Sequence, residues 1–109
     1  MYIIPSKMTK HFNGLSEAEQ ERLAIIVEEC GEVVQAACKI LRHGYEGTNP
    51  KVEDSETNRE ALERELGDLQ HAILRMEEAV DVSTRKIIER REYKGERIKP
   101  YLHHQNGAA

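Results

Sequence analysis

The sequence predicts an all-α protein: a compact bundle of two long antiparallel helices with shorter helices toward the C-terminus. Three observations carry that expectation. Apolar residues recur with helical spacing over most of the chain, and no stretch alternates with period two. Two Ser/Thr-x-x-Glu capping boxes, Ser16 with Glu19 and Thr57 with Glu60, open the two longest periodic runs. The 109 residues suit a single domain with one core, and no internal repeat divides them.

The first helix is expected from Ser16 to Gly44, with Arg42 and His43 in the last turn, where cations suit the helix dipole. Its main apolar stripe is Leu23, Ile26, Val27, Cys30, Val34, Ala37, Cys38 and Leu41. Ile25, Ala36 and Ile40 make a second, partly apolar face, which predicts a helix buried on two sides. Residues 44–57 read as a polar loop, long for a compact helical domain, and long ordered loops are often functional. The second helix runs from Thr57 through about Val80 on the stripe Leu62, Leu66, Leu69, Ile73, Met76 and Val80. A third starts near Ser83 with Ile87 and Ile88 inward, is interrupted around Gly95, and cannot continue cleanly through Pro100. A short helix is expected near residues 6–12, and a flexible tail from about residue 103.

Charge narrows the function. Sixteen Lys and Arg against 20 Asp and Glu give a net charge of −4, which argues against a surface that grips a nucleic acid polymer. The total hides a division. Residues 1–82 carry 17 acidic and 9 basic side chains, whereas residues 83–109 carry 3 acidic and 7 basic. The longest apolar run, Leu23 to Val27, is five residues, so no membrane span is expected. The N-terminus lacks the basic and long apolar regions of a signal peptide, and a cytoplasmic location is expected. Cys30 and Cys38 on one helix stand about 12 Å apart along its axis, too far for a disulfide, and read as small core residues.

The carboxylates are less ordinary. Projected at about 100° per residue from Cys30, Glu29 falls near −100° and Glu32 near −160°, beside the second apolar face. On the second helix, measured from Leu69, Glu65 falls near −40°, inside the apolar sector, and Asp68 near −100°, at its edge. A buried ionised carboxylate is costly unless it is paired or holds a metal. Glu29-x-x-Glu32 and Glu65-x-x-Asp68 each put two carboxylates on neighbouring points of one helix surface. Packed antiparallel, the two helices would gather four oxygen donors, which repel one another unless a cation joins them. Mg²⁺ would make this a hard-oxygen site with positions left for water and phosphate. Glu28 adjoins the cluster as a fifth ligand or a base. The plainer reading is a solvated acidic face, in which Glu65 is an accident.

In context, the stretches Val27-Glu28-Glu29-Cys30-Gly31-Glu32-Val33 and Glu65-Leu66-Gly67-Asp68-Leu69 resemble the all-α nucleoside triphosphate pyrophosphohydrolase superfamily, the MazG-like group. Its pattern is Glu-Glu-x-x-Glu on one helix and Glu-x-x-Asp on the next, and the resemblance covers roughly residues 16–99. It implies hydrolysis of a nucleoside triphosphate or deoxynucleoside triphosphate to the monophosphate and pyrophosphate, with Mg²⁺ as cofactor and Mn²⁺ as a substitute. It implies metal binding by Glu29, Glu32, Glu65 and Asp68, and a water oriented or deprotonated by Glu28 or Glu32. It further implies phosphate contacts from Lys94 and Arg97, and assembly as a homodimer or a dimer of dimers. Two departures stand out. The 32 residues between Glu32 and Glu65 exceed the usual family spacing, and Glu92 stands where many relatives carry Asn.

Other polar residues have milder readings. His71 projects away from the core and reads as a surface histidine, and His103 and His104 lie near the chain end. Tyr45, Asn49 and Asn58 are loop candidates for base or sugar contacts. Two other classes compete with the hydrolase. One is a non-enzymatic helical adaptor or oligomerisation domain. The other, a di-iron or di-manganese carboxylate protein, needs Glu-x-x-His pairs, but Asp68 and Ile40 stand three before His71 and His43.

Overall fold

The computed structural model describes residues 12–105. The short helix expected at 6–12 lies outside them except for Phe12, and so does the tail from residue 106. Three helices follow in order: α1 (Glu17–His43), α2 (Asn58–Glu78) and α3 (Thr84–Arg97), with a 3-10 turn at Lys99–Tyr101. No strand occurs among the described residues, and the all-α class holds.

Both capping boxes form. The Ser16 hydroxyl accepts from the Glu19 amide at 3.1 Å while Glu19 Oε1 accepts from the Ser16 amide at 2.8 Å. Thr57 and Glu60 repeat the arrangement at 3.1 and 2.8 Å. Gly44 ends α1 with a φ of +81°, which L-residues rarely adopt. The interruption expected at Gly95 does not occur, and α3 runs through it to Arg97. One glycine costs a helix only about 1 kcal/mol, and the break waits for Pro100, which sits in the 3-10 turn.

α1 and α2 run antiparallel. At one end Asp81, just past α2, accepts from Arg22 Nε at 2.6 Å and Nη2 at 3.1 Å. At the other, Asn58 Nδ2 donates to the Gly44 carbonyl at 3.1 Å. Between these ends the seam buries Ala36, Ala72, Met76 and Glu65, with Ala72 only 2% exposed. Alanine on both helices lets the two backbones approach closely.

The face that α1 turns to α2 corrects one expectation. It consists of Ile26, Glu29, Val33, Ala36 and Ile40, all buried or half-buried. That face is rotated by roughly 90° from the expected main stripe. The stripe itself faces outward, with Val27 70%, Val34 60% and Leu41 85% exposed. Cys30 is exposed and Cys38 half-buried, so neither is a core residue. The reason is a shortage of partners among the described residues. α2 covers one side of α1, and α3 packs on the 3-10 turn without laying a face along α1 or α2. Ile87 and Ile88 are accordingly exposed rather than inward. The described residues are more extended than a compact bundle: the radius of gyration is 19.3 Å, against about 13 Å for a compact chain of this length. No helix among the described residues is long and apolar enough to cross a membrane.

Candidate metal centre

The i, i+3 spacing puts Glu29 with Glu32 on α1 and Glu65 with Asp68 on α2, and the antiparallel seam sets the pairs against each other. One carboxylate oxygen from each of the four lies within 4.8 Å of the others. Exposure is graded across the cluster. Glu65 is 6% exposed, Glu29 and Glu32 are half-buried, and Asp68 is exposed. The cluster is therefore closed at Glu65 and open at Asp68.

Few donors serve these oxygens. Glu65 Oε1 accepts a short bond from Arg64 Nη1. The same guanidinium reaches the loop, where Glu56 accepts from Nη2 at 2.7 Å and from Nε at 3.4 Å. Glu65 Oε2 and Glu29 Oε2 are buried without a hydrogen-bond partner. Glu32 is pushed up to about 7, first by hydrogen bonding to Glu65, then by burial and the charges of Glu65, Glu29 and Glu28. Glu29 is raised by burial, then by Asp68, Glu65 and Glu28. Two carboxyl groups can share a hydrogen bond only while one keeps its proton, so crowding rather than pairing defines the site.

Hard oxygen donors without a thiolate or imidazole suit Mg²⁺ or Mn²⁺ better than a softer transition metal. The two orphaned buried oxygens, Glu29 Oε2 and Glu65 Oε2, fit such an ion. A divalent cation would give both a partner and remove the repulsion that raises Glu32. Glu28 is exposed beside the cluster and is not among the four gathered residues.

One recess adjoins the carboxylates and another shares Lys39 with it. The nearer, about 280 Å³, is lined by Glu32, Gln35, Ala36, Lys39, Ala61, Arg64 and Glu65. The second, about 540 Å³, lies under the 44–57 loop and is lined by Lys39, Arg42, His43, Thr48, Asn49, Pro50 and Asn58. The loop is held in shape. The Asn58 and Arg59 amides donate to the Gly47 and Tyr45 carbonyls at 2.8 and 2.9 Å. Arg59 lies over the Tyr45 ring at 4.4 Å and pairs with Glu46 at 2.6 Å. Gly47 is required there, because a Cβ would stand 2.8 Å from Asn58 Nδ2 and 2.9 Å from the His43 carbonyl oxygen.

Of the loop candidates, Asn49 and Asn58 line the larger recess and Tyr45 does not. Lys94 and Arg97 line neither recess. They share a separate cleft of about 330 Å³ on α3 with Arg90, Ile98 and Tyr101. His71, His103 and His104 are exposed. The cations beside the carboxylates are Lys39 and Arg64, which sequence reasoning did not single out. A signal existed for each: Lys39 follows Glu32 by seven residues, two helical turns on one face, and Arg64 adjoins Glu65.

No protein family, curated protein or solved structure matches the chain in comparisons with known proteins.

Proposed function

We propose that the protein is a Mg²⁺-dependent nucleoside triphosphate pyrophosphohydrolase of the MazG-like kind, converting an NTP or dNTP to the monophosphate and pyrophosphate. One observation carries the reading: Glu29, Glu32, Glu65 and Asp68 converge within 4.8 Å around two buried oxygens that nothing satisfies. A helical adaptor gives no account of those oxygens. When bound, Mg²⁺ supplies charge neutralisation for the triphosphate and acidifies the attacking water.

The remaining work belongs to the chain. Glu29, Glu32, Glu65 and Asp68 hold the cation, and the exposed Asp68 edge admits water and phosphate. Glu28 stands outside the ligand set and takes the proton from the water, with Glu32 orienting it. Attack at the α-phosphorus expels pyrophosphate, a step that asks mainly for position and charge. Lys94 and Arg97 line neither recess but a separate cleft on α3. Their part in the reading is to serve a neighbouring copy in a homodimer or a dimer of dimers, assembled over the exposed stripe of α1.

A panel of NTPs and dNTPs with Mg²⁺, its products separated by ion-exchange chromatography, tests the reaction. Monophosphate and pyrophosphate in equal amounts are expected from at least one nucleotide. Orthophosphate release would place the cleavage at the wrong bond, and an inert panel would reject the activity.

A further inference from the structure

We infer that the polyphosphate chain is held by Lys39 and Arg64 of the same subunit, with Arg42 at its far end, in the trough between the carboxylate cluster and the 44–57 loop. This deepens the pyrophosphohydrolase reading and rests on it for the choice of ligand.

Continuity is the first ground. Lys39 lines both the recess at Glu32 and Glu65 and the recess under the loop, so the two adjoin at this side chain. Along α1, Glu32, Lys39 and His43 share a face, with Arg42 at its side. Lys39 stands about 10 Å beyond Glu32 on the axis. A cation site thus opens onto a linear run of positive charge, which complements a chain of phosphates.

Availability is the second ground. Lys39 and Arg42 form no hydrogen bond or ion pair with any described residue, although both face recesses. Arg64 is engaged, but on terms that a metal changes. It divides its guanidinium between Glu56 and Glu65. A divalent cation on Glu65 takes over the neutralisation that Nη1 provides, leaving that donor for a phosphate oxygen while Glu56 keeps the group aimed. A planar guanidinium suits such two-sided contact.

The lining also says which part of a nucleotide belongs here. Neither recess presents Phe, Tyr or Trp, and the one aromatic ring in the linings is the His43 imidazole of the larger recess. Cations and amides suit phosphate oxygens instead.

Binding of inorganic tripolyphosphate at saturating Mg²⁺, measured by titration calorimetry on the full chain, separates this subsite from the chemistry. Wild-type protein should bind it, and Lys39→Gln should weaken binding by about ten- to a hundred-fold, the worth of one or two charge-assisted hydrogen bonds. Lys39→Arg should restore most of the loss, and Lys39→Gln should leave Mg²⁺ binding alone unchanged. Arg64→Gln should weaken binding too, and helical circular dichroism checks that each variant folds. Wild-type affinity in both Lys39→Gln and Arg64→Gln, or a loss confined to Lys94→Gln and Arg97→Gln, would overturn the assignment. So would an absence of tripolyphosphate binding by the wild type. Lys39-dependent binding with no nucleotide cleaved would leave the subsite standing and remove the activity.

Discussion

Glu32 on α1 and Glu65 on α2 bring one carboxylate oxygen each within 4.8 Å of the other, and hydrogen bonding between the two groups pushes Glu32 up to about 7. Burial and the charges of Glu65, Glu29 and Glu28 push the same way. Such crowding is destabilising for the metal-free chain at neutral pH. A cation at these oxygens would relieve it.

The pH dependence of stability follows in sign. Glu32 is raised in the folded chain from 4.5 to about 7, and Glu29 is raised as well. A raised acid binds more protons folded than unfolded, so its contribution is full below about 4.5 and is lost as pH rises through about 7. In a chelator, the thermal midpoint should fall between pH 5 and pH 8. Mg²⁺ should raise it most at pH 8, above the value to which Glu32 is pushed. Thermal melts across this range, with and without Mg²⁺, test both halves. A chelated protein whose midpoint is flat over the window would contradict the crowding. Glu56 and Asp81, lowered by Arg64 and Arg22, lose their contribution at more acidic pH and do not confuse the window.

Glu65→Gln separates function from stability. The amide brings a donor to face Glu32 and removes one of four negative charges, so the metal-free fold should hold or gain in thermal midpoint. Activity should move the other way. Without this buried ligand kcat/KM should fall at least about a hundredfold, and the stabilisation by Mg²⁺ should vanish. Melting curves paired with pyrophosphate assays read both effects. Unaltered turnover in the variant would remove Glu65 from the site.

Val80 offers a test remote from the chemistry. It follows α2 with a φ of +59°, a left-handed conformation that a β-branched residue adopts at a cost. The turn is fixed by the Asp81 amide, which donates back to the Met76 carbonyl at 2.9 Å and aims Asp81 at Arg22. Glycine is the usual residue in such a helix end. Val80→Gly should therefore stabilise the protein by about 1 kcal/mol. Chemical denaturation measures it, and a loss of stability would show that the valine side chain is held by contacts outside the single chain.

The elements most legible in the sequence were those decided locally. Ser16, Thr57 and Gly44 mark helix ends because a side chain or a backbone angle settles each within a turn. The four carboxylates were legible for a similar reason: i, i+3 spacing fixes neighbours on one helix, and the burial of Glu65 followed from its place in the apolar sector. Which face of α1 meets α2 was not legible, because that helix has two apolar faces. The choice fell to Ala36 and Ala72, whose small size permits close approach while adding little to a hydrophobic stripe. Lys39 and Arg64 escaped notice because an exposed cation looks alike everywhere in a sequence. The loop, through Thr48, Asn49 and Pro50, completes the recess at Lys39 and Arg42, whereas the recess at Arg64 is lined by residues of α1 and α2 alone.

The exposed stripe yields the last test. Leu23, Val27, Cys30, Val34, Ala37 and Leu41 follow one another at alternating steps of four and three, the spacing of a helix–helix seam. The seam is about 27 Å long, and among the described residues nothing covers its valines or Leu41. A second copy supplies an identical seam, and burying each valine against it is worth about 1.5–3 kcal/mol. Wild-type protein should sediment as a dimer or larger, and Val34→Glu should weaken association at least about tenfold. Sedimentation equilibrium reads this directly. Pyrophosphate release should fall with the dimer if the α3 cations Lys94 and Arg97 serve the neighbouring copy, and a mixture of Glu65→Gln with Lys94→Gln chains should then recover part of the activity by complementation. A wild type that is monomeric at all concentrations, or a fully active monomeric Val34→Glu, would confine the site to one chain.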